Sequence, residues 1–175
     1  MKCALVDSIR KRLNFDFNAN RECDRLALNG KMSEYAAAAG LAALDVWPEQ
    51  RDGYRQAKAH YIEHFQPLLG SLRFRPDFTG DWISYRFLIQ FTEPIAQKMQ
   101  VLLKGRGVDT QRWWGNGCHL HPAFRRYPQE PEMPQTDWLG KTALGIPTFP
   151  DLTEEQVVRV AEAMADALSA CHAGV

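Results

Sequence analysis

A chain of 175 residues, 45% of them hydrophobic, can bury one core of ordinary domain size. Its 21 Lys+Arg balance 21 Asp+Glu, so no global charge draws it toward nucleic acid or an anionic membrane. No apolar run approaches the ~20 residues that span a bilayer, and the N-terminus lacks an apolar signal-peptide core with a small-residue cleavage site. The expected location is cytoplasmic.

Cys3, Cys23, Cys118 and Cys171 are scattered without a C-x-x-C pair, which argues against a disulfide framework and against a zinc ribbon. No internal repeat or low-complexity tract is present.

The opening residues carry Ala4-Leu5-Val6, an amphipathic run Ile9-Arg10-Lys11-Arg12-Leu13, and then Asn14-Phe15-Asp16-Phe17. A polar turn follows, Leu28-Asn29-Gly30-Lys31, and runs straight into Met32-Ser33-Glu34-Tyr35-Ala36-Ala37-Ala38-Ala39-Gly40-Leu41. Asn29-Gly30 is a turn dipeptide, since glycine supplies φ > 0 at no steric cost. Ser33 or Asn29 can accept from the first free amides of the helix behind it. The small side chains from Ala36 to Ala43 allow close backbone approach, so this helix is expected to be internal rather than exposed. It should run to Val46-Trp47, where Pro48 enforces a break. Pro48 and Glu49 suit the first turn of a second helix, whose apolar positions Tyr54, Ala57, Tyr61, Ile62, Phe65, Leu68 and Leu69 follow helical spacing. Gln66-Pro67 and Gly70 mark its frayed end.

Between Asp81 and Phe91 the period changes. Ile83, Tyr85, Phe87, Ile89 and Phe91 alternate with polar neighbours, which predicts a strand with one buried face. Thr92 is placed to cap a helix with Pro94 in its first turn and a stripe of Ile95, Met99, Leu102 and Leu103. Gly105 and Gly107 end that helix before a second short strand, Val108-Asp109-Thr110. From Gln111 to Pro150 aromatics, prolines and histidines accumulate with little periodicity, and such a stretch is usually functional or poorly ordered. The last helix is the clearest: Thr153 with Gln156 forms a capping box, and Val157, Val160, Ala161, Met164 and Leu168 form its stripe.

Several of these segments resemble sugar-nucleotide aminotransferases of the DegT/DnrJ/StrS type, which use pyridoxal phosphate. The residues Asn29, Lys31, Met32, Ser33, Glu34, Ala37, Gly40 and Leu41 match, ungapped, the pattern "G-x-N-x-R/K-M-S-E-x-x-A-A-x-G-L", with Ala27 where the first glycine is usual. Arg10, Arg12, Phe15 and Phe17 follow "R-x-x-R-x-F-G-F", with Asp16 in place of glycine. Ser84-Tyr85-Arg86-Phe87 and the later Gly107-Val108-Asp109-Thr110 resemble the corresponding small-domain segments, as does Gly145-Ile146-Pro147. The resemblance implies an α/β (α+β) fold: long amphipathic helices on a small, mostly antiparallel sheet, like the C-terminal domain of fold-type I aminotransferases. It implies residues 1–32 as the large-domain end with a dimer-facing turn, and residues 33–175 as the small domain.

Members of that family are considerably longer, and the chain looks like their C-terminal part. Pyridoxal phosphate enzymes of this fold need a lysine for the Schiff base and a carboxylate for the pyridinium nitrogen. In the resembled family that lysine lies upstream of the Asn-bearing turn. Lys2 lacks its context, so no catalytic residue is assigned and the chain is not expected to transaminate alone. Asn29 and Lys31 match the residues that reach the phosphate of the neighbouring subunit's cofactor. An amide and a cation suit a phosphate dianion, although lysine keeps the charge and gives up arginine's bidentate geometry. Without the resemblance, a polar turn with a solvated lysine is the simpler reading.

His119 matches the histidine of the family's "P-L-H" segment near the sugar-nucleotide site. Trp113 and Trp114 are candidates to stack on a sugar or base, core or interface packing being the alternative. Arg112 is a candidate for the diphosphate, or else a surface arginine. Cys118, His119 and His121 lie close in sequence, but no second cluster completes a zinc site, and no metal is expected. Ser84, His121 and the Cys/His pairs lack an oxyanion-type glycine motif beside a nucleophile, which argues against a hydrolase. The expected partners are a nucleotide-sugar and, as homodimer or heterodimer, a full-length aminotransferase or its N-terminal half. The alternatives are a non-catalytic interaction module that docks on an intact aminotransferase and completes or modulates its site, a free-standing nucleotide-sugar binder using Trp113, Trp114 and His119, and a decaying fragment.

Overall fold

The computed structural model describes residues 4–17, 21–75, 83–112, 115–128, 130 and 132–173. The chain forms two compact units, Met1–Trp47 and Pro48–Val175.

In the first unit, helix α1 (Ala4–Arg12) ends in a tight reversal. Phe15 and Asp16 both adopt left-handed φ, at 58° and 57°, which lets the chain double back against residues 28–30. Phe15 N–H donates to the Leu28 carbonyl at 3.1 Å and Gly30 N–H to that of Leu13 at 3.0 Å. Lys11 Nζ closes the reversal with an ion pair to Asp24 at 2.8 Å. Among the described residues the glycines with positive φ are Gly107, Gly115 and Gly117, and Gly30 is not one of them. What it supplies is space: a Cβ there would collide with Leu13 Cδ2. Helix α2 (Glu34–Asp45) follows, with Ser33 as its cap and the hydroxyl accepting from Ala36 N–H at 3.1 Å. The expectation of an internal alanine helix is corrected here, because no residue of α2 is buried. Leu41 and Leu44 are 64% and 67% exposed. Small side chains permit close packing, but they do not place the packing partner in the same unit.

The second unit holds the core. Helix α3 (Trp47–His64) starts one residue before its proline, turns Ala57 and Tyr61 fully inward, and is prolonged by Phe65 and a 3-10 turn over Gln66–Leu68. Three strands form one antiparallel sheet in the order β1 (Leu72–Phe74), β2 (Phe87–Phe91), β3 (Ala143–Ile146). Leu72 lies opposite Phe91, and Phe87 opposite Ile146. On β2 the alternation holds as expected, with Phe87, Ile89 and Phe91 buried. The strand is shorter than its sequence pattern, because Ser84 Oγ donates to the Arg86 carbonyl and accepts from its N–H. That turn removes Ser84 and Tyr85 from the ladder, and Asp81 lies outside the described residues.

Helix α4 (Ala96–Lys104) begins beyond Pro94, with Ile95 at its cap. Thr92 caps no helix; its N–H and hydroxyl both go to the Ser71 carbonyl, at 2.9 and 3.1 Å, and so extend the sheet edge. Met99 and Leu103 are buried, and Ile95 and Leu102 pack on the core. No strand forms over Val108–Thr110. Instead Gln111 makes an isolated bridge to Gly145 on β3. The aperiodic stretch contains a second unforeseen element, helix α5 (Pro134–Thr142), which leads directly into β3.

Helix α6 (Glu154–His172) has the capping box, with Thr153 Oγ1 accepting from Gln156 N–H and Gln156 Oε1 accepting from Thr153 N–H. Its expected stripe is buried from Val157 through Leu168 and continues to Cys171. Each large apolar side chain so buried contributes roughly 1.5–3 kcal/mol. Helix α4 packs against α6, and Lys98 Nζ donates to the Cys171 carbonyl at 2.8 Å, satisfying one of the free acceptors at the end of α6.

Candidate functional site

The candidate residues fall into two groups, one in each unit. In the first unit, the reversal after α1 presents Asn29 and Lys31. Asn29 is bridged to Asn14, and Lys31 Nζ donates to Asn14 Oδ1 at 2.8 Å. Both residues are exposed. Ser33 opens α2 two residues after Lys31. An ammonium, an amide and a helix N-terminus therefore lie within five residues, and each favours an anion.

In the second unit, the loop after Gln111 packs on one face of α5. The Arg112 guanidinium donates to Asn116 Oδ1 and, at 2.9 Å, to the Gly140 carbonyl. Its Nε is buried and finds no hydrogen-bond partner among the described residues. His119 Nε2 stands 3.3 Å from Asp137 Oδ1, with its side chain only 14% exposed. The loop can approach this closely because two glycines lack side chains. A Cβ on Gly140 would lie 2.9 Å from Asn116 Cα, and one on Gly117 would lie 2.7 Å from the His119 ring. Gly117 also holds φ at 113°, outside the range of ordinary side chains. Thr136, Asp137 and Gly140 share a helix face by their spacing, and that face gathers Arg112 and His119 into one cluster.

Trp113 and Trp114 lie outside the described residues. Among the described residues no group of three His, Cys, Asp or Glu side chains is placed to hold an ion. The His121 ring lies 6.2 Å from that of Phe124. Sequence reasoning missed Asp137, Asn116 and Gly140, because the helix that carries two of them was not foreseen. The available signal was Pro134 at a helix start with Asp137 in the first turn. Among the described residues no helix is long and apolar enough to cross a membrane.

Helices packed on a small three-stranded antiparallel sheet define the fold class, and solved aminotransferases share that fold. The fold superposes on the aminotransferase PseC of Helicobacter pylori with a TM-score of 0.85, covering 97% of this chain and 47% of that one at 14% identity. The chain belongs to the DegT/DnrJ/EryC1/StrS aminotransferase family, whose model matches residues 5–165. It is 31% identical over 147 residues to a pleiotropic regulatory protein of Geobacillus stearothermophilus, covering 81% of this chain and 38% of the relative. It is 26% identical over 166 residues to the dTDP-3-amino-3,4,6-trideoxy-alpha-D-glucose transaminase of Streptomyces venezuelae, covering 91% of this chain and 42% of that enzyme. The chain thus spans about two fifths of the length of these curated relatives.

Proposed function

We propose that the chain works as the C-terminal part of a pyridoxal-phosphate-dependent sugar-nucleotide aminotransferase, with the lysine that holds the coenzyme supplied by another polypeptide segment. The observation that carries this reading is the family match over residues 5–165 on a chain two fifths the length of its relatives.

The residues present fit the phosphate end of the coenzyme. Lys31 supplies a cation and Asn29 an amide donor, on a turn braced from behind by Asn14. Bound there, the coenzyme would supply the electron sink for amino transfer; this chain's share is to fix its phosphate across a dimer contact. The cluster on α5 takes the nucleotide-sugar side. His119, oriented by Asp137, faces the sugar, Arg112 shapes the loop and serves the diphosphate, and Trp113 and Trp114 stack on the sugar or base. The partner is a full-length subunit or an N-terminal half, in a homodimer or heterodimer.

The test uses the purified chain with pyridoxal phosphate and borohydride, alone and with a separately expressed N-terminal half of a relative. Alone, the chain should acquire no permanent covalent lysine adduct and should not aminate a keto-sugar nucleotide. With the partner half, activity should appear and fall at least tenfold on Lys31→Ala. A permanent adduct on the chain alone would overturn the reading. The exposed apolar residues of the first unit, Leu28, Met32, Leu41 and Leu44 among them, favour one variant of this reading, a non-catalytic module docked on an intact aminotransferase. Co-purification with a whole enzyme whose activity is lost on Asn29→Ala would select it.

A further inference from the structure

The reversal after α1 has two faces of opposite chemistry. Phe15 N–H donates to the Leu28 carbonyl and Gly30 N–H to the Leu13 carbonyl, at 3.1 and 3.0 Å. These two bonds flank the bridge between Asn14 and Asn29, so the two asparagines form a non-hydrogen-bonded antiparallel pair. In such a pair the Cα atoms approach to roughly 4.5 Å and the side chains stand next to each other on one face. The alternation of an extended segment puts Lys31 on that face as well and turns Leu28 and Gly30 to the other. Two contacts agree with this division. The Lys31 ammonium reaches Asn14 Oδ1 at 2.8 Å, and a Cβ on Gly30 would run into the Leu13 and Leu28 side chains. One face is therefore closed by leucines. The other carries two amides and an ammonium, with Asn29 and Lys31 exposed and Asn14 half-buried.

The orientation of Asn14 follows from its partner. An ammonium only donates, so Asn14 turns its oxygen to Lys31 and its NH2 group away. The oxygen takes one of the three ammonium protons, and Lys31 keeps two for a ligand. Lysine lacks the second prong with which an arginine grips a phosphate. The Asn14 NH2 group, held beside the ammonium, puts a donor where that prong is missing. We propose that Asn14 is a third phosphate-gripping residue of this turn: its oxygen aims the Lys31 ammonium, and its NH2 group donates to a phosphate oxygen alongside Lys31 and Asn29. One cation and two amides then meet a phosphate dianion through several charge-assisted hydrogen bonds. The proposal rests on the reading of this turn as the phosphate end of the coenzyme site, and it gives Asn14 a ligand contact that a brace does not need.

The experiment titrates the whole purified chain with pyridoxamine 5′-phosphate, which carries the phosphate but no aldehyde for a lysine to attack. Inorganic phosphate and pyridoxamine without its phosphate are titrated in parallel. Binding is followed by calorimetry and by the side-chain NH2 resonances of Asn14 and Asn29. The expected dissociation constant is on the order of 1 mM, with the Asn14 NH2 protons shifting along the same saturation curve and pyridoxamine moving nothing. Asn14→Ala should weaken binding about fivefold, the worth of one hydrogen bond. In a Lys31→Arg background the guanidinium supplies the second prong itself, and there Asn14→Ala should weaken binding by less than about twofold. A brace without ligand contact predicts equal loss in both backgrounds and unmoved Asn14 NH2 protons, and either result would overturn the proposal. The NH2 shift is read on the unaltered chain, so it decides the matter even where Asn14→Ala fails to fold. The two readings fail separately. Phosphate binding with the Asn14 protons unmoved removes only the role of Asn14, whereas no binding of either phosphate at tens of millimolar refutes the turn as a phosphate site and this proposal with it.

Discussion

Replacing Tyr61 by phenylalanine removes a single oxygen from the core and tests how that core holds the wall behind it. Tyr61 is fully buried, packs edge-on against Phe65 and tilted against Phe87, and donates to the Pro147 carbonyl at 2.7 Å. The ring contacts survive the substitution, so only the hydrogen bond is lost, at a cost of about 1 kcal/mol. Burial also pushes the Tyr61 phenol above its ordinary value of 10.0. Above pH 10 the unfolded chain therefore binds fewer protons than the folded chain, and stability falls as pH rises. At pH 11 this linkage removes about 1.4 kcal/mol from the wild type, whereas the Tyr61→Phe variant has no proton to lose at that position. The assay is urea unfolding of both proteins at pH 8 and pH 11, followed by far-UV circular dichroism. The wild type should be the more stable by about 1 kcal/mol at pH 8, and that advantage should vanish or reverse at pH 11. A difference that stays constant between the two pH values would refute the reasoning, because the phenol would then ionise in place.

Gly53→Ala should destabilise the second unit although alanine is the better helix former by ~1 kcal/mol. The new Cβ would fall on the Pro150 carbonyl, 2.8 Å from its carbon, and such overpacking costs roughly 1–3 kcal/mol; a melting temperature that rises would show that the close approach relaxes freely. Thr153→Ala removes the hydroxyl that accepts from Gln156 N–H and should cost about 1 kcal/mol, read as a melting point lower by roughly 2–4 °C. No change would mean that Gln156 and solvent replace the cap.

Helix α6 was legible because its signals are local. Thr153 and Gln156 lie three residues apart, and the apolar stripe repeats within one continuous segment. The buried face of β2 was legible for the same reason, since alternation of Phe87, Ile89 and Phe91 is a short-range pattern. Strand β1 escaped notice because three residues, Leu72 to Phe74, carry too little period to register. Thr92 was misassigned because its hydroxyl suits a helix cap in isolation, and only the fold brings the Ser71 carbonyl to it. The alanine run misled in another way: small side chains report how closely a helix can be approached, and they carry no information about who approaches. Arg112 and His119 stood out by residue type. Their shared anchorage on α5 was hidden, since the bond from Arg112 to Gly140 spans 28 residues and the glycines that admit it have no side chain to signal their purpose.

Helix α2 has 12 residues, no buried side chain, and a single serine holding its first turn. A helix of that length in water sits near the midpoint of its own coil transition, so its backbone protons trade with deuterium long before those of α6, which open only when the core dissolves. Lys31 stands at the threshold of this easily melted segment. Any body that settles along the alanine face would freeze the segment, and in doing so would set the geometry of the ammonium and the amide just ahead of it; anion affinity at that turn would then report on whether the face is occupied.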